Sequence, residues 1–280
     1  MRVHHLNCAT LCLPLGPWVT GNKEGPYAGK LVCHCLLIET EDGLVLVDAG
    51  LGLEDIAHVR QRLGRLTNFL LGPRLARAET AFEQVKALGF KPEDVRHILV
   101  THLDLDHIGG ISDFPHATLH LYGAQERVAG GNVSRKERRR YKPIQWAYGP
   151  RIQKAELGGQ SFMGFEAVRD LKGLPPEVLI VPLSGHTEGH CGIAIESERG
   201  WLLHAGDAYY HRCAMERPQG RSPLFARLLD RFNTWDKEKL LANRSRLREL
   251  VHSTEQDVTV FCSHDPAEYQ ACRDSYRSRR

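Results

Sequence analysis

The sequence predicts an α/β fold, with two β-sheets or one split sheet and helices on the outside. Three observations carry this reading. Short apolar runs of strand length alternate with helix-length patterns along the chain. No apolar stretch approaches the ~18 residues that a membrane span needs. The 280 residues are 42% hydrophobic and 25% charged, the composition of a globular chain able to bury a core. Layered α/β chains of this length are often one domain, so residues 1–280 are read as a single unit.

The elements follow in order. The start of the chain, with His4-His5 and Cys8 and Cys12, reads as an edge strand. Leu31–Glu39 and Leu44–Val47 read as strands joined by Asp42-Gly43, a hairpin signal. Val47-Asp48-Ala49-Gly50 ends the second strand in a turn. Ala78–Leu88 fits an amphipathic helix closed by Gly89. His97–Thr101 and His116–Tyr122 are strands, and a short helix follows near Ala124–Ala129. Residues 130–164 read differently, as an insertion or lid. They hold the basic run Ser134–Lys142 and then Trp146 and Tyr148. Val178–Leu183, Cys191–Glu196, Trp201–Ala205 and Val258–Cys262 are four more strands, with helices at Lys237–Val251 and Pro266–Arg273.

Charge and cysteine usage narrow the function. There are 37 Lys and Arg against 34 Asp and Glu, a net +3 that argues against a dedicated nucleic-acid binder. The basic run carries no interleaved aromatics and reads as a solvated helix face or lid hinge. The eight cysteines form no Cys-x-x-Cys pair, and Cys33, Cys35 and Cys262 sit in apolar runs as small buried hydrophobes. The first residues lack the apolar core of a signal peptide, so a cytoplasmic location is expected. Fifteen histidines are unusually many, and imidazole is the commonest metal ligand.

The histidines mark the chemistry. Thr101-His102-Leu103-Asp104-Leu105-Asp106-His107 places four potential metal ligands within six residues, directly after an apolar strand. In an extended segment residues 102 and 104 project to one side, and the turn toward Gly109-Gly110 swings Asp106 and His107 round. Acids and imidazoles held this closely are costly unless a cation joins them. Three more fragments follow strands: Ser184-Gly185-His186-Thr187-Glu188-Gly189-His190, His204-Ala205-Gly206-Asp207 and Cys262-Ser263-His264-Asp265. Strand ends converge on one rim of a sheet, where ligands gather. Neither Ser184 nor Ser263 lies in a Gly-x-Ser-x-Gly elbow, which disfavours a serine hydrolase.

In combination these fragments resemble the metallo-β-lactamase-fold hydrolases, whose usual pattern is His-x-His-x-Asp-His followed by a distant His, Asp and His. The resemblance runs from Asp48 to His264. It is greatest for the N-acyl-homoserine-lactonase-like branch, which carries a Tyr three residues after the bridging Asp, as Tyr210 follows Asp207 here. It implies an αββα four-layer sandwich with two mixed sheets between outer helices. It also implies two divalent cations: one held by His102, Asp104 and His186, a second by Asp106, His107 and His264, and Asp207 bridging both. His190 and Asp48 match supporting positions. Imidazole and carboxylate suit Zn²⁺, and the carboxylate of Asp104, where the family usually has His, favours harder ions such as Mn²⁺ or Fe²⁺.

The implied reaction is attack of a hydroxide, formed at neutral pH on the cation pair, on the carbonyl of a lactone or related ester. Asp106 would orient the hydroxide and pass a proton to the leaving alkoxide. Tyr210 would donate to the oxyanion, with Tyr209 competing for that role. Trp146 and Tyr148 would line an acyl pocket or pack the lid. The expected partner is a small-molecule substrate, with no membrane or nucleic acid, and a homodimer stays open. Alternatives on the same metals are a glyoxalase II-like thioesterase, a phosphodiesterase or RNA-processing nuclease, and a metal-binding module without catalysis.

Overall fold

The computed structural model describes residues 1–131, 133–134, 137–216, 220–255 and 257–277. The apolar runs pair into two mixed sheets. The first contains β1 (Arg2–Leu11), β2 (Leu31–Thr40), β3 (Gly43–Val47), β4 (Val95–Leu99), β5 (Thr118–Tyr122) and β6 (Arg151–Ala155), adjacent in that order. β1 to β3 run antiparallel, and β3 to β6 parallel. β7 (Gln160–Phe162) and β8 (Phe165–Ala167) form a separate hairpin. The second sheet joins β9 (Val178–Pro182), β10 (Cys191–Ser197), β11 (Gly200–His204) and β12 (Val258–Phe261) in the order β12-β11-β10-β9, with only β11 and β12 parallel.

Side-chain alternation explains the layers. In β2, Leu36 and Ile38 enter one apolar cluster with Val45, Leu99, Ile180, Ile193 and Ile195, so this cluster lies between the sheets. Cys35 and Leu37, one position out of phase, enter another with Ala81, Val85 and Val128 from the helices Ala81–Ala87 and Ala124–Ala129. In the second sheet, Leu179, Val181 and Leu203 turn outward onto Leu247 and Leu250 of the helix Lys237–Val251. Each central strand is therefore buried on both faces, and each fully buried Leu or Ile contributes roughly 1.5–3 kcal/mol. This is the expected helix–sheet–sheet–helix stack.

Local boundaries follow from capping and turns. The helix read as starting at Ala78 starts at Ala81, because Thr80 caps it by accepting from the Glu83 N–H. The β2–β3 turn is Glu41-Asp42, with Gly43 at φ +129° opening β3. The 130–164 stretch divides, unlike its reading as one insertion. Residues 137–146 form two short helical turns, whereas Arg151–Ala155 completes the first sheet and Gln160–Phe162 opens the hairpin. In this edge strand Ile152 and Ala155 are separated by Gln153 and Lys154, which gave no apolar run to see. All eight cysteines are free, and all but Cys12 are buried. Among the described residues, no helix is long and apolar enough to cross a membrane.

Candidate metal centre

The carboxyl ends of β3, β4, β11 and β12, with the loop after β9, meet at one rim. After β3, Asp48 takes the left-handed conformation at φ +55°, which a short acidic side chain tolerates. Its Oδ1 accepts the Thr101 N–H over 2.8 Å. Its Oδ2 accepts the Thr101 hydroxyl over 2.7 Å and Nδ1–H of His107 over 2.8 Å. Asp104 then starts the helical turn Leu105–Ile108, which brings Asp106 and His107 round to face the rim.

Each imidazole is oriented through its outer nitrogen. With its hydrogen given to Asp48, the Thr101 hydroxyl oxygen accepts from Nδ1 of His102 at 3.0 Å. Nδ1 of His264 donates to the Val32 carbonyl over 2.8 Å. Nδ1 of His190 donates to the Leu183 carbonyl, and its Nε2 accepts the main-chain N–H of Asp207 over 2.9 Å. Gly206, at φ +55°, makes that contact possible: a Cβ there would lie 2.6 Å from His190 Nε2.

Inner nitrogens surround Asp207 on two sides. Its Oδ2 lies 3.7 Å from His102 Nε2 and 3.6 Å from His186 Nε2. Its Oδ1 lies 3.4 Å from His107 Nε2 and 3.2 Å from His264 Nε2. Asp106 Oδ2 lies 3.6 Å from His264 Nε2, and Asp104 Oδ2 lies 3.2 Å from His102 Nε2. His102 Nε2, His107 Nε2 and Asp207 Oδ1 are buried with no hydrogen-bond partner. Orphaned buried polar atoms normally cost 1–3 kcal/mol each. Two donor groups, His102–His186–Asp207 and His107–Asp207–His264, each gather within 4.8 Å. Nitrogen and carboxylate donors at these spacings fit divalent cations.

Electrostatics agree with that fit. Burial opposes the charge on Asp207, but His264, His107 and His102 hold its pKa well below the carboxylate range. Burial likewise opposes protonation of His107 and His264, yet Asp207, with Asp48 or Asp106, raises both well above the usual imidazole value. His186 goes the other way: burial and Arg140 push it down to about 3.

Arg140 is the residue that sequence reasoning missed as part of the site. It comes from the basic run read as a solvated face, and its guanidinium reaches Asp104 and His186. Asp104 in place of a neutral imidazole was the available signal, since a buried carboxylate calls for a counter-charge. Cys33, read as a small hydrophobe, shares a donor group with Asp106 and His264.

The candidate set separates. His102, Asp104, Asp106, His107, His186, Asp207 and His264 come together, with Asp48 and His190 behind them. Tyr210 also lies at the rim, its hydroxyl 2.8 Å from His186 Nδ1. Tyr209 does not: it is fully buried and its hydroxyl donates to Glu268, because adjacent residues point to opposite sides here. Trp146 and Tyr148 pack against the apolar cluster on the helix side of the first sheet, and Tyr148 donates to the Ile111 carbonyl. Their rings pack there, the second of the two roles the sequence left open.

Two stacked mixed sheets with imidazoles and carboxylates gathered at one rim define a metal-dependent hydrolase. The sequence profile of the metallo-beta-lactamase superfamily matches residues 28–264, and the chain belongs to that superfamily. It is 39% identical over 275 residues to a probable metallo-hydrolase of Mycobacterium tuberculosis, covering 98% of this chain and 84% of that protein. It is 26% identical over 245 residues to the N-acyl homoserine lactonase of Bacillus cereus, covering 87% and 85%. A solved N-acyl homoserine lactone hydrolase, with N-hexanoyl-L-homoserine bound at its catalytic metal center, superposes with a TM-score of 0.69. It is 22% identical and the match covers 97% of this chain and 96% of that one.

Proposed function

We propose that the protein opens a lactone or related ester, in the manner of an N-acyl homoserine lactonase. The observation that carries this is the two-sided presentation of Asp207, one carboxylate oxygen toward each histidine pair. His107, Asp207 and His264, with Asp106, would hold one divalent cation, and His102, His186 and Asp207, with Asp104, a second. Zinc suits the nitrogen-rich donors, and Mn²⁺ or Fe²⁺ the carboxylate of Asp104. Such cations, when bound, supply a Lewis acid and a water of pKa about 7.

The chain's own groups do the rest. Asp106, partly open at the rim, orients the attacking water and carries a proton from it to the leaving alkoxide on its carboxylate. The Tyr210 hydroxyl oxygen faces Nδ1 of His186, whose proton it accepts, leaving its own O–H free to donate to the oxyanion. Burial and Asp207 raise the Tyr210 pKa well above its usual value, so this donor stays protonated. The lactonase relative supports the substrate class.

The test is a hydrolysis panel of N-acyl homoserine lactone, thioester and phosphodiester. Lactone turnover should dominate, and Asp207→Ala should abolish it. Tyr210→Phe should lower lactone kcat by roughly 10²–10³ while metal content stays unchanged. Turnover confined to the thioester or phosphodiester, or retained in Asp207→Ala, refutes the reading.

A further inference from the structure

We propose that Arg140 competes with a cation for the His102–His186–Asp207 position, so that the two metal positions are unequal and the His107–Asp207–His264 position fills first. This rests on reading the rim as a metal centre. Arg140 Nε and Nη2 lie 2.5 Å from Asp104 Oδ1 and Oδ2, a bidentate pair. Nη2 is also 2.6 Å from His186 Nε2, the lone pair that a cation would need. Nη1 donates to the Asn233 carbonyl over 2.7 Å and faces the His186 carbonyl at 3.3 Å. The guanidinium thus carries positive charge onto two donors of that position and is itself held by main chain on its far side.

The flanking segment fixes this placement. Tyr141 is buried beside it, and Gln145 is fully buried with its amide bonded to Asp55 and Arg62. None of the Arg140 contacts reaches His107, His264 or Asp207 Oδ1, whose inner atoms stay free of hydrogen-bond donors from this side chain. Asp104 is what makes the arrangement possible. An imidazole at that place offers no charge and at most one lone pair to a guanidinium, whereas a carboxylate takes both of its forks. A cation entering this position must break that pair, whereas one entering the other position displaces no guanidinium.

The test is metal stoichiometry on the full chain. Protein stripped with a chelator is titrated with Co²⁺, followed by visible absorption, and the ions kept after dialysis are counted by atomic emission. The unaltered protein should keep about one ion, and Arg140→Ala about two, with the second bound at least about tenfold more tightly than before. Asp104→His should also keep about two with Arg140 present, because it removes the guanidinium's partner while supplying a nitrogen donor. Should Arg140→Ala misfold by circular dichroism, Arg140→Gln and Asp104→His decide. Two ions held equally tightly by all proteins, or one ion held by all, overturns the proposal. No ion held by any of them overturns the metal-centre reading beneath it instead.

Discussion

Asp48 Oδ2 lies 2.8 Å from His107 Nδ1, and both side chains are almost wholly buried. This one contact fixes the tautomer of His107 and aims its Nε2 at Asp207. Carboxylates that hold the outer nitrogen of a ligating imidazole also raise its basicity. Asp48→Asn keeps the size and removes the charge. It should weaken cation binding at the His107–Asp207–His264 position by roughly 10–100-fold, read by competition with a chromophoric chelator. Unchanged affinity would mean that His107 is oriented without Asp48.

Proton release gives a second prediction. Without a cation, Asp207 raises the pKa of both His107 and His264 despite their burial, favouring their protonated forms. A cation needs both as neutral imidazoles, so its binding must expel their protons. Stripped protein in weak buffer at pH 7 should acidify on adding Zn²⁺ by about two protons per first ion bound, seen with an indicator dye. The apparent affinity should then rise by up to about a hundredfold per pH unit, the sign set by raised pKa values in the free protein. Binding with no pH change would contradict the electrostatic account.

A third concerns stability alone. Glu268 receives the Tyr209 hydroxyl and the Cys262 N–H, and burial beside Asp265 raises its pKa from 4.5 to about 8. The folded state therefore keeps a proton that the unfolded chain loses above pH 4.5. The stabilisation is complete below that value and disappears as pH rises through 8. Glu268→Gln keeps an acceptor for Tyr209 and cannot titrate. It should remove a pH-dependent loss on the order of a few kcal/mol between pH 5 and 8.5, measured by urea unfolding. Parallel curves for the two proteins would reject it.

Much of this was legible in the sequence because it depended on short-range pattern. Apolar runs such as Val178–Val181 and Cys191–Ile195 are strands with two buried faces, so they read as continuous hydrophobic segments. The metal donors were legible because each sits just beyond such a run. Edge strand β6 was not, since half of it faces solvent and its residues carry no apolar run. Tyr209 and Tyr210 were indistinguishable in sequence, and only the turn after β11 decides which hydroxyl meets His186 and which meets Glu268. Arg140 was hidden for a different reason. Its partner is 36 residues away, and a basic run looks the same whether its side chains reach water or a buried acid.

The donors around Asp207 come from loops that begin at residue 102 and end at residue 264. No contiguous piece of the chain shorter than that interval contains the complete set. During synthesis the His102–His186–Asp207 group is complete once residue 207 has been added, whereas the His107–Asp207–His264 group must wait for residue 264.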